Sequence, residues 1–195
     1  INSPYSEDEM KKAFIDVIKA NEYKENLSVR QTLFVDGFGS WSSIEPVDMF
    51  VAPIPKRKTS QEYNKKGLNC CITSWKRIDD NTLSPRIKCG ANYINSRMGQ
   101  REALRNGYDT CIFLNENGKI SEGPGSCFFM IKNNKVFTPH ADACLPGITR
   151  GVVIEICGEL NLPIVEKNLS MTEFYTADEV FTTGTMGELS PVMKI

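Results

Sequence analysis

A single histidine, His140, stands in this chain, and its seven cysteines (Cys70, Cys71, Cys89, Cys111, Cys127, Cys144 and Cys157) make no C-x-x-C pair. Without clustered imidazole or thiolate ligands, no zinc site is expected. The odd cysteine count and the lack of framework spacing indicate reduced thiols, and with them a cytoplasmic setting. An excess of one charge is missing too. The 23 Lys and Arg balance 24 Asp and Glu to a net charge of -1, which gives no electrostatic footprint for nucleic acid or an anionic membrane. No apolar run approaches the roughly 20 residues a membrane-spanning helix needs. Neither internal repeats nor low-complexity tracts interrupt the chain. What is present is the composition of an ordinary globular protein, 41% hydrophobic and 24% charged over 195 residues, long enough to bury a real core. The chain opens on Ile1 rather than Met and stops at Ile195 soon after an apolar strand begins, so a piece of a longer protein is expected.

Local patterns order the chain. Ser6 and Glu9 make a capping box ahead of Met10, Ala13, Phe14, Val17 and Ile18 at helical spacing, which predicts a helix over 6–20. Residues 27–35 and 47–54 read as strands. The stretch 55–66 (PKRKTSQEYNKK) is polar, basic and without core residues, and is the expected linker between 1–54 and 67–195. After it come a strand over 67–75, a turn at 79–81, and a helix from Asn92, as a possible cap, to Arg105 before Asn106-Gly107. Two hairpins are predicted: 111–114 with 119–122 across Asn-Glu-Asn-Gly, and 126–131 with 136–138. A helix from about Gly147 should bury Ile148, Val152, Val153, Ile156 and Leu160. Then follow a strand at 163–165, a helix capped by Ser170 and Glu173, and a strand at 179–182 running into Gly184-Thr185-Met186-Gly187. The whole predicts a mixed α/β (α+β) fold with hairpins rather than a doubly wound sheet.

Four positions could carry chemistry. Lys88 lies between Ile87 and the small residues Cys89-Gly90-Ala91. Alone it reads as a surface charge, but a lysine used as a Schiff base must be partly desolvated so that its amine can lose a proton and attack an aldehyde. Tyr93, one small turn later, could donate to an oxygen of the same ligand, or simply fill the core. Glu122 ends a hairpin strand before Gly123-Pro124-Gly125. A carboxylate there could keep a pyridine nitrogen protonated and make the ring an electron sink, or could be an exposed strand-end glutamate. Leu145-Pro146-Gly147-Ile148-Thr149-Arg150 opens a helix whose free amides suit a phosphate, and Thr185 sits in a glycine-flanked loop that could serve the same or a neighbouring anion. Lysine, aromatic hydroxyl and carboxylate together suit pyridoxal 5'-phosphate (PLP).

The segments Lys88-Cys89-Gly90-Ala91-Asn92-Tyr93, Ile120-Ser121-Glu122-Gly123-Pro124-Gly125, Leu145 to Arg150, and Ala177-Asp178-Glu179-Val180-Phe181 through Gly184-Thr185 to Glu188-Leu189-Ser190-Pro191-Val192 keep one order and spacing. In this the chain resembles the class IV aminotransferases, PLP enzymes of fold type IV, and among them the branched-chain amino-acid aminotransferases. The resemblance implies a large PLP-binding domain (a pseudo-barrel) over 67–195, with 1–54 a remnant of the small N-terminal α/β domain, both ends cut, and a homodimer. It implies that Lys88 forms the internal aldimine and shuttles a proton between substrate Cα and cofactor C4′. Tyr93 would bond the phenolic oxygen, Glu122 the pyridine nitrogen, and Leu145 would pack on the ring. The amides of Ile148 and Thr149, with Thr185, would hold the phosphate. The amides of Thr185 and Met186, and Arg30, would meet the substrate carboxylate. Ser126 and Cys127 depart from the glutamate and asparagine usual in the branched-chain family, and Ser28 from a common tyrosine.

The implied reaction is transamination between a branched-chain or related amino acid and 2-oxoglutarate, so the expected partners are small amino and 2-oxo acids. Two alternatives remain. One is the same fold with another reaction, an aminodeoxychorismate lyase or a D-amino-acid aminotransferase, because the cofactor supplies the sink and the pocket decides which bond breaks. The other is a PLP-binding or dimer-forming fragment without turnover, its pocket left wet.

Overall fold

In the computed structural model, residues 2–55 and 65–195 are described, and the chain divides into two compact units, Ile1–Lys58 and Thr59–Ile195. Most of the expected linker, residues 56–64, lies outside the described residues.

The first unit is built from local signals. Ser6 and Glu9 close their capping box, with Ser6 N donating to Glu9 Oε2 at 2.8 Å and Glu9 N to Ser6 Oγ at 3.3 Å, and α1 runs Glu7–Ala20. Strands β1 (Leu27–Val35) and β2 (Val47–Pro55) pair antiparallel from Leu27 opposite Pro55 to Val35 opposite Val47. Tyr5 Oη donates to Asp48 Oδ1 at 2.6 Å and Gln31 Nε2 to Met10 O at 2.9 Å, tying the helix to both strands.

The second unit is organised by a seven-stranded mixed sheet in the order β4-β3-β9-β8-β5-β6-β7. Its strands are β3 (Leu68–Lys76), β4 (Thr110–Leu114), β5 (Cys127–Lys132), β6 (Lys135–Thr138), β7 (Ile164–Glu166), β8 (Glu179–Gly184) and β9 (Glu188–Lys194). β3 runs parallel to β4 and β9, β6 runs parallel to β7, and the remaining neighbours are antiparallel: β5–β6 and β8–β9 as hairpins, β5–β8 across a long connection. The predicted 126–138 hairpin turns at Asn133 and Asn134, both with positive φ (49° and 59°), a conformation asparagine tolerates.

Among the described residues, the helices α2 (Asn92–Arg105), α3 (Ile148–Glu159) and α4 (Met171–Tyr175) attach to this sheet. Leu68, Cys70, Ile112, Ile120, Phe128, Met130, Leu169, Phe174 and Val180 form the largest buried cluster. Phe129, Val136, Val153 and Cys157 form a second, and Ala103, Cys111 and Phe113 a third. Gly99 lets α2 lie close on β4, since a Cβ there would stand 2.3 Å from the Phe113 ring.

Three expectations need correction. Asn92 is the first residue of α2, not its cap: Nδ2 donates to Ser84 O and Ile87 O, both at 2.9 Å, and thereby holds the loop that leads to Lys88. Residues 119–122 bond antiparallel along the free edge of β4, with Leu114 opposite Ile120, without forming a regular strand. In α3 the inward face is Arg150, Val153 and Cys157, while Ile148 is 88% exposed. The apolar stripe read from the sequence is rotated off the one the sheet covers.

Candidate active site

Glu122 is the anchor of the site. Its backbone is fixed to β4, with Phe113 N donating to Glu122 O and Ser121 N to Phe113 O, both at 2.9 Å, and Ser121 Oγ donates to the Ala143 carbonyl. The carboxylate is buried, so the reading of an exposed strand-end glutamate fails. Oε1 accepts from Arg77 Nε at 2.6 Å and Oε2 from Leu145 N at 3.2 Å. Arg77 is equally buried, with Nη1 donating to Asn95 Oδ1 at 2.9 Å and to Ser96 Oγ at 3.3 Å from the first turn of α2. Burial pushes the Glu122 carboxyl above its usual range, and Arg77, the Leu145 amide and the charge of Lys88 only partly offset this. A carboxyl so poised can hold or share a proton with a basic ring nitrogen.

Lys88 and Tyr93 form the second element. Lys88 Nζ donates to Tyr93 Oη at 3.1 Å. The loop between them is drawn tight by Cys89 N to Ile87 O (2.8 Å) and Asn92 N to Cys89 O (3.2 Å), and by the Asn92 side chain behind it. Lys88 is exposed within this chain, so the desolvation expected of it is not provided by the described residues of its own unit, and Tyr93 is half-exposed rather than a core tyrosine.

The third element is the start of α3. Gly147, with extended φ and ψ of -67° and 145°, offers no side-chain cap, so the first amides of the helix keep their donor capacity. Thr185 stands beside it in the turn joining β8 to β9. β8 runs close to the preceding turn there: a Cβ on Gly184 would stand 3.2 Å from Gly125 O.

One cavity of about 360 Å³ brings these together, lined by Lys88, Tyr93, Glu122, Leu145, Ile148, Thr149 and Thr185, with Arg77, Asn92, Arg150 and Thr183. Its size suits a small cofactor. Met186 shares the Thr185 turn without lining the cavity, and Arg30 lies on β1 of the first unit, opposite Ala52. Among the described residues, the buried side-chain atoms without a hydrogen-bond partner are Asn92 Oδ1, Arg150 Nε and Thr183 Oγ1, and each belongs to a residue of this lining. An unpaired buried polar group costs about 1–3 kcal/mol. Their concentration here leaves hydrogen-bonding capacity on the cavity wall that a ligand or solvent can take up. No group of three or more His, Cys, Asp or Glu among the described residues could hold a metal.

Arg77 and Arg150 are the residues that sequence reasoning missed. Arg77 meets Glu122 across 45 positions of sequence, and no local spacing connects them. Arg150 stands inside the recognised helix-opening segment, but nothing in the pattern indicates that its side chain turns inward.

The family model for class IV amino-transferases matches residues 1–195. A probable branched-chain-amino-acid aminotransferase of Aquifex aeolicus is 34% identical over 193 residues, 98% of this chain and 62% of that protein. The branched-chain-amino-acid aminotransferase of Escherichia coli is 36% identical over 195 residues, 96% of this chain and 62% of that one. The crystal structure of the Thermobaculum terrenum branched-chain amino acid aminotransferase in its PLP form matches with a TM-score of 0.90 at 37% identity, covering 100% of this chain and 64% of that chain. The chain spans about 62% of the length of these curated relatives. The mixed α/β fold, with its curled sheet, is that of fold type IV aminotransferases. From its first residue to its last, the chain belongs to the class IV amino-transferases.

Proposed function

We propose that the protein to which this chain belongs is a PLP-dependent aminotransferase that moves an amino group between a branched-chain amino acid and 2-oxoglutarate, and that it works as a homodimer. The observation that carries the reading is Glu122, buried and held at both oxygens, facing the same cavity as the Lys88–Tyr93 pair and the uncapped start of α3. The donor set fits PLP at each end: an amine for the aldehyde, a carboxyl for the ring nitrogen, and free amides and hydroxyls for the phosphate.

In this reading Lys88 Nζ holds the cofactor covalently, and Tyr93 Oη donates to the phenolic oxygen. Glu122, oriented by Arg77, carries or shares the proton at the pyridine nitrogen. Leu145, which lines the cavity, would pack on the cofactor ring, while its amide keeps Glu122 in place. The amides of Ile148 and Thr149, with the Thr185 hydroxyl, bind the phosphate. The amides of Thr185 and Met186, together with Arg30, orient the substrate carboxylate. When bound, PLP supplies the electron sink that makes a substrate Cα–H acidic. Lys88 would take that proton at Nζ and return it on the cofactor side, a general acid–base role for a lysine with one hydrogen-bond partner already in place.

Adding PLP, reducing with borohydride and mapping the peptides tests the assignment, with the pyridoxyl mass expected on the Lys88 peptide. A label elsewhere removes the mechanism. In single half-reactions, leucine or glutamate should bleach the cofactor's absorbance band. Pyruvate release from aminodeoxychorismate would replace the transaminase reading with a lyase.

A further inference from the structure

Arg150 stands in the first turn of α3, directly after Ile148 and Thr149, yet its side chain is only 6% exposed. Nη2 donates to Pro139 O at 2.8 Å and to Glu166 Oε2 at 2.6 Å. Nε–H is buried and finds no acceptor within the chain. The countercharge on Glu166 is nearly half exposed, so water screens it, while the guanidinium stays inside. Packing alone does not explain a charge here. Val153 and Cys157 bury the same face of the helix with apolar atoms, and a buried cation carries a desolvation cost of several kcal/mol that one partly solvated carboxylate does not fully repay. A second observation points the same way. Thr183 on β8 is buried with its Oγ1 unpaired, and it lines the same cavity beside the uncapped helix start. A cation and two spare donors next to free helix amides describe a place for a multiply charged anion.

We propose that Arg150 is a positioning residue for the phosphate end of the cavity. It braces the first turn of α3 through Pro139 and Glu166, and it adds a buried charge that selects ligands bearing a phosphate over the same ligands without one. This rests on the PLP reading of the cavity. The effect is exerted through the helix start and through charge, so it shows in discrimination rather than in binding of the ring.

The test measures affinities of the full chain for PLP and for pyridoxal by absorbance titration. It compares wild type with Arg150→Met, Arg150→Lys and Thr183→Val, and thermal unfolding of each ligand-free variant runs alongside. In Arg150→Met the ratio of PLP to pyridoxal affinity falls about tenfold or more. Arg150→Lys restores part of that ratio, because the charge returns without the planar fork. Thr183→Val, close in volume, lowers the ratio about fivefold. A purely structural arginine would weaken both ligands together and leave the ratio unchanged, and that result overturns the proposal. Should the methionine variant fail to fold, an unchanged ratio in both Arg150→Lys and Thr183→Val overturns it equally. A wild-type chain that does not bind PLP removes the cofactor reading as well. A wild-type chain that binds PLP well while every variant keeps its discrimination removes only the role of Arg150.

Discussion

Across residues 2–55 a 14-residue helix packs on a two-stranded hairpin and no described residue is buried, whereas residues 65–195 enclose Phe113, Phe128, Phe129, Ile112 and Leu169 completely. Both regions carry clear amphipathic patterns and a closed capping box, so local specification is equal. They differ in what the pattern is spent on. The first unit is held by register, caps and a few side-chain ties such as Tyr5 to Asp48, and an isolated two-stranded hairpin is marginal in water. The second unit has a core built from contacts distant in sequence, and all candidate site residues except Arg30 sit on it. A buried ion pair like Arg77–Glu122 demands that setting, because only a rigid, dry scaffold holds both partners in hydrogen-bonding geometry.

The largest effect that could break this comparison comes from truncating a phenylalanine in each unit. Phe128→Ala should cost about 3–5 kcal/mol, as for a fully enclosed aromatic, and Phe14→Ala, at a side chain 37% exposed, less than about 1 kcal/mol. Trp75 reports the second unit, and amide-exchange protection along β1 and β2 reports the first, whose Trp41 is fully exposed. Denaturant unfolding followed at Trp75 in a Trp41→Phe background should show a strongly lowered midpoint for Phe128→Ala. Equal losses from the two substitutions would show that the first unit has a core of its own.

A smaller effect sharpens the contrast through pH. Cys70, Cys111, Cys127, Cys144 and Cys157 are buried thiols of the second unit, and the first unit has no cysteine. Burial pushes Cys70 up to about 12 from 9.0, and raises Cys111 as well. The folded state therefore holds these protons more tightly than the unfolded chain. Their stabilisation is complete below pH 9 and is lost as pH climbs from 9 towards 12, at about 1.4 kcal/mol per thiol and pH unit. Between pH 8 and 10 the Trp75 transition should weaken while the exchange protection factors of β1 and β2 hold, since Tyr5, also raised by its bond to Asp48, loses stabilisation only above pH 10. Cys70→Ala should flatten the slope, and a slope unchanged by that substitution would exclude burial of this thiol as the cause.

Which features were legible in advance follows the same divide. Short-range chemistry is plain in the residues: the Ser6–Glu9 and Ser170–Glu173 boxes, the strands β1 and β2 and the asparagine turn at 133–134 all stand where their local patterns predict. The parallel pairing of β3 with β4 and β9 is not written locally, because parallel partners are joined by long crossovers. In α3 the apolar spacing favours Ile148, Val152, Val153, Ile156 and Leu160, but of these the sheet covers only Val153, and it takes Cys157 and Arg150 inside with it. Of the candidate site, Lys88, Tyr93, Glu122 and the helix start were legible as motifs. Arg77 was not, because its role exists only once β3 and the Glu122 segment are side by side.

The smallest expected effect compares like with like. Ser170→Ala and Ser6→Ala each remove a hydroxyl that accepts a backbone N–H at 3.3 Å, from Glu173 and Glu9 respectively, and each should cost its helix about 1 kcal/mol. The same local loss has different destinations. Phe174 of α4 belongs to the largest buried cluster, so weakening that helix loosens a piece of the core and should lower the midpoint of the Trp75 transition. No residue of α1 is buried, so the loss at Ser6 should be absorbed by fraying of its first turn, seen as faster amide exchange at 7–10 with the Trp75 midpoint unmoved. If Ser6→Ala moved that midpoint as far as Ser170→Ala does, α1 would be coupled to the unfolding of the core, and the two units would have to be treated as one cooperative body.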